Sequence, residues 1–534
     1  MMRFSLVLAL AAAVVEGTLS SYREPANFDP KKALASRGFN VKQLSTFFGA
    51  NYNASSGDCT AAVSILHSLY PNRTIVQNTP EEQAWSLGYW SAIQGEETPA
   101  VVFQPARADE VSTAILVSRW TQCKFAVKSG GHASMKSASN IDNGITIDLV
   151  NLNTIQPSQD KKIVALGAGL KWGAVYTELA KHGIQVNGAR GSDVGVGGFT
   201  TGGGISYFAN KYGWGCDNVA SYELVTASGS ILTVTPTSYP DLYKALRGGG
   251  PNFGIVTRFD LEAFPQGDIF SGSLIYSYDE RAKVIPAFSK FAYSTDTKVH
   301  TWMFVLNLGG QKVFSVLNMY SSPIVDPPVF SEMRSIPHLS SDTAVRSLVN
   351  MTDQIAAQGP AGSRDMFWTH TFKMDEAFIA WFVDMFYAET DAVQGKYEGM
   401  NALPLIQFLT KTNLERWGRN GGNSLPLRAE GGPYINIIFA LMWKNEADDD
   451  VLISTIARVM NKAKAEGVKR GLFVDYVYMN YGSEYQDVLE SYGANKEVLR
   501  RVAEKYDPKE VFQKLRPGYF TFNGPPRTVG PGAS

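Results

Sequence analysis

The sequence predicts an α+β protein of at least two folded units, on three observations. A strand, a helix and a second strand follow one another between residues 100 and 127. The chain has 534 residues, more than a single core comfortably fills. Beyond residue 270 the glycine clusters mostly stop, and strand-like runs continue between helical ones. With 44 % apolar, 12 % aromatic and 19 % charged residues the composition is that of a globular protein, somewhat below the roughly 25 % charged fraction of an average domain. Lys plus Arg (49) against Asp plus Glu (50) leaves a net charge of −1. No positive field exists to hold phosphate backbones or anionic lipid, which excludes nucleic acid and membrane surfaces as partners.

Met1-Met2-Arg3 and the apolar run Phe4 to Val15 form a positive start and a stretch too short for a bilayer, which needs about 20 residues. Residues 1–20 therefore read as a secretory signal peptide cut near Gly17 or Ser20, and the mature protein is expected to be secreted. The sequons at Asn53, Asn72 and Asn350 gain meaning only in that compartment. Cys59, Cys123 and Cys216 lack metal-ligand spacing, so no metal site is expected. In an oxidising compartment Cys59, at a predicted helix start, is expected to pair with Cys123, at a predicted strand start. Cys216 then stays a buried thiol.

Residues 21–95 mix helical and loop signals and read as an N-terminal lead-in. Ala100 to Phe103 is a strand, Asp109 to Trp120 a helix with Val111, Ala114 and Ile115 on one face, and Lys124 to Val127 a second strand. The crossover makes the two strands parallel. Ile145 to Leu149 and Ile163 to Leu166 are further strands, and Trp172 to His182 is a helix closed by Gly183. Ser228-Gly229 turns a hairpin between Tyr222 to Thr226 and Ile231 to Thr235. Gly254 to Ala263 alternates apolar and charged residues as a half-buried strand does. Phe270 to Tyr278, Thr301 to Leu308, Lys312 to Tyr320 and Ile435 to Trp443 are the strands of a second unit, and the acidic residues before the helix Val451 to Ala465 complement its dipole. The last part reads as a strand, Phe473 to Tyr481, and a helix, Val498 to Tyr506.

Chemistry is expected at three glycine clusters. Lys128-Ser129-Gly130-Gly131-His132 directly follows a strand, and its successive amides can form an anion-binding nest suited to a pyrophosphate. Gly195 to Gly204 is a run of small residues that admits a ligand close to backbone, with Thr200 where a dinucleotide fingerprint needs its third glycine and no Gly-Lys-Ser/Thr of a Walker loop. Gly248 to Val256 lies between a helix and a strand. Any one such cluster is often only a tight turn; three within 130 residues, one carrying a histidine, point to a site.

The ordered set of Lys128 to His132, Gly195 to Gly204, Gly250-Pro251-Asn252-Phe253-Gly254-Ile255-Val256 and Tyr478-Met479-Asn480-Tyr481 with Tyr506-Asp507-Pro508 resembles the berberine-bridge-enzyme-like family, of the vanillyl-alcohol-oxidase (PCMH) type of FAD oxidoreductases. The resemblance covers nearly the whole mature chain and is nearest to secreted fungal members, many of which tailor secondary metabolites while others oxidise sugars. It implies a PCMH-type FAD-binding domain of two α+β subdomains over 96–268. It implies a substrate domain with a large antiparallel sheet over 269–472, and a C-terminal segment, 473–534, returning to the FAD domain. It further implies that His132 bonds covalently to the flavin 8α-methyl, and that FAD is held by Ser129, Gly130, Gly131, Val194, Gly197, Gly198, Thr201, Gly202, Gly203, Gly254, Ile255, Val256 and Asn480. Some members add a second link through a cysteine where this chain has Gly191, so a single link is expected. Val194 stands where the family's side chain governs oxygen access and favours oxidase behaviour.

For such an oxidase a C–H next to OH or NH of a small substrate gives hydride to the flavin, a base takes the heteroatom proton, and molecular oxygen reoxidises the cofactor. Some members place a Glu base shortly before the strand at Ile435; here the matching stretch, Gly421 to Pro426, has no carboxylate. Tyr478 and Tyr481 become the candidate catalytic residues, although a tyrosine with its usual pKa near 10 needs activation. A monomer is expected. The alternative reading is a redox-neutral isomerase or cyclase with flavin as scaffold.

Overall fold

A computed structural model of the chain describes residues 22–49, 52 and 57–527. The signal peptide over 1–20 and the Asn53 sequon lie outside the described residues.

The first sheet holds β1 (Thr74–Val76), β2 (Val101–Phe103), β3 (Phe125–Lys128) and β4 (Ile145–Asp148) in the order β1-β2-β4-β3. β2 and β3 both run parallel to β4, so the expected crossover is present with β4 inserted between its two strands. The crossover helix Ala108–Thr121 buries Val111, Ala114, Ile115, Leu116 and Val117 completely, because helices of the lead-in cover it on the side away from the sheet. Its last turn carries Arg119, which forms a buried bidentate pair with Glu24 at 2.7 and 2.9 Å and donates to the Ala227 carbonyl at 2.7 Å. Breaking one partner of such a pair leaves an uncompensated buried charge, so this contact holds the lead-in against the core.

The second sheet contains β5 (Ile155–Pro157), β6 (Ile163–Gly167), β7 (Ile184–Val186), β8 (Val219–Val225), β9 (Ile231–Val234) and β10 (Ile255–Pro265), all antiparallel. β10 is its spine, pairing with β6, β7 and β8. As its alternation predicts, Phe259 and Leu261 are fully buried while Arg258, Asp260 and Glu262 reach solvent.

The third sheet has nine antiparallel strands: β11 (Ile269–Ser277), β12 (Val299–Leu308), β13 (Gln311–Tyr320), β14 (Ser340–Ser341), β15 (Ala344–Arg346), β16 (Arg364–Lys373), β17 (Asn401–Leu409), β18 (Tyr434–Trp443) and β19 (Phe473–Val474). Helices Arg281–Ser289, Glu376–Thr390 and Asp449–Lys469 pack on one face, where Met303 and Val305 of β12 join Phe288, Phe382 and Ile456 in one core. The two-residue period of a strand turns the intervening Trp302 and Phe304 to the opposite face, towards the first two sheets. The acidic helix start is as expected, and Asp449 also takes a bidentate pair from Arg364 at 2.7 Å and the Trp443 indole at 2.7 Å.

One expected element is wrong. The run 473–481 is a strand only over Phe473–Val474, and Met479–Tyr481 is a 3-10 turn. The apolar and aromatic residues that promised a strand are buried by another route: the chain leaves the sheet edge and folds over the glycine run, where Tyr478 is held by backbone amides. Tertiary packing overrides strand propensity here. The remaining chain returns to the first sheet, where the Leu515 carbonyl accepts from the Phe125 amide at 2.8 Å.

Cys59 caps helix Thr60–Leu69 and is bonded to Cys123 just before β3, and Cys216 is a fully buried thiol, both as expected. The bond encloses a loop of 64 residues. Replacing both cysteines with serine is expected to lower unfolding stability by about 2–5 kcal/mol. Chemical denaturation measures this, and non-reducing peptide mapping should recover the two peptides joined and free of Cys216.

Candidate active site

A large cleft, about 1940 Å³ with its open mouth, lies where the three sheets meet. Of the residues singled out from the sequence, all but Gly202 and Gly203 line it. Those two stand directly behind its wall, Gly202 against the Asn480 amide and Gly203 against Trp214 and Tyr478.

The loop after β3 and the turn leading into helix Val196–Thr201 meet backbone to backbone. A Cβ at Gly130 would come within 2.5 Å of the Gly195 Cα, and one at Gly195 within 2.2 Å of the Gly130 nitrogen. Ser129 ties the two together: its Oγ donates to the Ala168 carbonyl at 2.6 Å and accepts from the Gly197 amide at 3.0 Å. Gly131 has φ +73°, which turns the loop into a nest. Among the described residues the amides of Gly130, Gly131 and His132 donate to no protein acceptor. His132 closes the loop with its Nε2 3.4 Å from an Asp193 carboxylate oxygen. The Trp90 ring stacks on the imidazole at 4.1 Å and 11°, and its own N–H is fixed on the Gly359 carbonyl at 2.9 Å.

At one end of the cleft, beside Gly254, Ile255 and Val256, stands Arg516, 2 % exposed. It donates to Asn252 at 3.3 Å, while its Nε has no partner. Among the described residues no carboxylate pairs with it, and burial pulls the guanidinium down to about 10.

The two tyrosines of the cleft have unlike surroundings. Tyr478 is 1 % exposed, and its hydroxyl oxygen accepts from the Gly204 and Ile205 amides at 3.0 Å each and from Asn480 Nδ2 at 2.9 Å. Burial pushes its phenol far above the ordinary range, with Tyr481 adding to the effect and the three donors opposing it. These three donors occupy the oxygen and anchor the Gly203–Ile205 bend. Tyr481 instead accepts from the guanidinium of Arg190. Arg190 lies 4.7 Å over the Trp302 ring, its Nη1 is 3.5 Å from Gln407 Oε1, and Gln407 is held in turn by Asn436 at 3.0 Å. No carboxylate among the described residues lies within ion-pair distance of Arg190.

The stretch 421–426, taken from the sequence as the place of a missing base, lies away from the cleft: the Gly422 carbonyl and the Ser424 hydroxyl wrap Arg247, and Asn423 donates to Asp217. Gln407 of β17 reaches Arg190 from the nine-stranded sheet, beside Trp302 of β12 and Phe367 of β16. Of the aromatic residues of that sheet and its helices, Trp302, Phe304 and Phe367 line the cleft, whereas Trp368, Trp381 and Trp443 belong to the opposite core. Trp90, Arg190, Asp193 and Arg516 were missed. Arg190 and Asp193 flank Gly191 beside a recognised cluster and were within reach of inspection; Trp90 and Arg516 carry no local signal.

FAD fits this cleft on three counts: amides without acceptors in a glycine nest, a buried cation without a carboxylate, and glycine contacts that admit no side chain. Ser129 to His132 and the residues around Arg516 would hold its phosphate-bearing part, and His132, Val194 and Asn480 would border the ring.

The model of the FAD binding domain family matches residues 99–235. The FAD-dependent monooxygenase FUP4 of Fusarium proliferatum is 37 % identical over 452 residues, which is 82 % of this chain and 87 % of that protein. Among solved structures, BBE-like 1 of Physcomitrella patens superposes with a TM-score of 0.71 at 17 % identity, covering 88 % of this chain and 99 % of that one. Glucooligosaccharide oxidase of Acremonium strictum, which carries a 6-S-cysteinyl, 8α-N1-histidyl FAD, superposes with a TM-score of 0.70 at 16 % identity over 88 % of this chain and 99 % of its own. The fold is the PCMH-type FAD-binding fold, and the chain belongs to the berberine-bridge-enzyme-like family of FAD-dependent oxidoreductases.

Proposed function

We propose that the protein is an exported oxidase that takes a hydride from a C–H next to OH or NH of a flat, largely apolar small molecule, with FAD linked to His132 and molecular oxygen as final acceptor. The observation that carries this reading is a cleft lined both by acceptor-free amides with Arg516 and by the Arg190–Tyr481 pair. Bound FAD supplies the hydride acceptor. The Tyr481 oxygen, in its ionised form, takes the proton of the substrate heteroatom and becomes the neutral phenol, and the Arg190 guanidinium stabilises the ionised form through a charge-assisted bond. Gln407 and the Trp302 face hold the guanidinium in place. Trp302, Phe304, Phe367 and Ile355 exclude water and offer few groups to bind the hydroxyls of a sugar, which favours a secondary-metabolite intermediate. The disulfide is compatible with export.

Tyr481→Phe removes one oxygen and should slow anaerobic flavin reduction by about 10² to 10⁴, roughly 3 to 5 kcal/mol, with a panel of benzylic and allylic alcohols. Tyr478→Phe leaves two buried amides without an acceptor; it should change that rate less than about fivefold while costing about 1–3 kcal/mol in unfolding stability. A Tyr481→Phe rate within about fivefold of wild type overturns the assignment. Under labelled oxygen the reading expects peroxide and an unlabelled product; label in the product would establish oxygen insertion, the chemistry in the name of the Fusarium relative, and turnover without flavin bleaching would establish the redox-neutral alternative.

Arg516→Met in a His132→Ala background should weaken FAD binding about 10- to 100-fold, roughly 1.5–3 kcal/mol, in a fluorescence titration. Unchanged affinity would remove Arg516 from the cofactor site.

A further inference from the structure

We propose that Asp193 is the positioning residue for the covalent flavin link: its carboxylate accepts the Nε2–H of His132, so that Nδ1 keeps the lone pair that forms the bond. The inference rests on the reading in which His132 carries FAD.

The imidazole is fixed on two sides, by the Asp193 oxygen 3.4 Å from Nε2 and by the Trp90 ring stacked on its face. A histidine donating from one nitrogen must present the other as an acceptor, the device by which carboxylates set the tautomer in other histidine sites. Asp193 is kept for this by its surroundings. Burial pushes its carboxyl up, but the contact with His132, a backbone amide and the Lys171 charge outweigh that and hold it below the usual range.

Gly191 completes the arrangement. A Cβ there would meet the Asp193 Oδ1 at 2.8 Å, so the position that carries a second link in doubly attached relatives is here given over to the carboxylate.

The step balances as follows. The flavin 8α-methyl gives up a proton, the Nδ1 lone pair forms the N–C bond, and the electron pair of the broken C–H bond enters the ring system, which is thereby reduced. The imidazole becomes cationic, its charge is balanced by the Asp193 carboxylate, and its Nε2 proton then leaves. Molecular oxygen takes the two electrons and two protons as hydrogen peroxide, restoring oxidised, linked flavin.

The test is the rate at which late-added FAD becomes resistant to release by denaturation, in the full-length chain expressed under flavin limitation, for wild type, Asp193→Asn and Asp193→Ser. Wild type should retain its flavin. Both variants should bind FAD and release it on denaturation, with linkage slowed on the order of 10²-fold. Asp193→Glu should restore part of the rate, and Gly191→Ala should lose it because its Cβ displaces the carboxylate. Linkage in both neutral variants at the wild-type rate overturns the proposal while leaving the His132 link intact. Folded variants that bind no FAD also overturn it, since the carboxylate would then serve binding. Release of flavin from the wild type overturns the His132 reading and this inference together.

Discussion

Two loops from different sheets touch through bare backbone at Gly130 and Gly195, and the site follows from that contact. Only glycine on both sides permits the approach, since a Cβ on either would lie at or below 2.5 Å from the other's backbone. The Ser129 hydroxyl then bridges the two loops, satisfying the Ala168 carbonyl and the Gly197 amide. Because the loops are held by each other and by that bridge, the amides of Gly130, Gly131 and His132 stay free for a ligand. The same contact carries His132 to within reach of Asp193, two residues before Gly195. Backbone packing thus sets the position of the chemical groups.

Electrostatics at the two ends of the cleft follow one rule. Arg516 and Arg190 both sit among apolar walls with no carboxylate in range among the described residues, an arrangement that costs free energy until something anionic or strongly accepting arrives. At the Arg516 end the complement is a cofactor that brings its own negative charge. At Arg190 it is the Tyr481 oxygen, which accepts from the guanidinium. The nine-stranded sheet supports this second end from behind: the strand period sends Trp302 into the cleft and Met303 under the helices, and Gln407 from β17 steadies the guanidinium.

Features written in local periodicity were legible in the sequence. The alternation of β10, the crossover helix and the acidic start of helix Asp449–Lys469 stand where the residues put them. The glycine clusters, and the pairing of Cys59 with Cys123, were likewise readable, because turns and disulfides are made by particular residue types. What escaped was decided at long range. Residues 475 to 481 have the apolar and aromatic character of a strand, yet the amides of Gly204 and Ile205 capture Tyr478 and end the strand at Val474. The stretch 421–426 matches the place where some members of the resembled family carry a base, but its Gly422 carbonyl and Ser424 hydroxyl serve Arg247. Trp90 reaches His132 across 42 positions of chain, and nothing beside it marks the contact.

The Gly130–Gly195 contact is what would build the flavin cradle. Its most direct test is the flavin content of Gly195→Ala, which adds one methyl where the Gly130 nitrogen would lie at 2.2 Å. The account predicts a folded protein, by circular dichroism and an intact Cys59–Cys123 bond, that carries no flavin, linked or free. Full flavin content in that variant would contradict it.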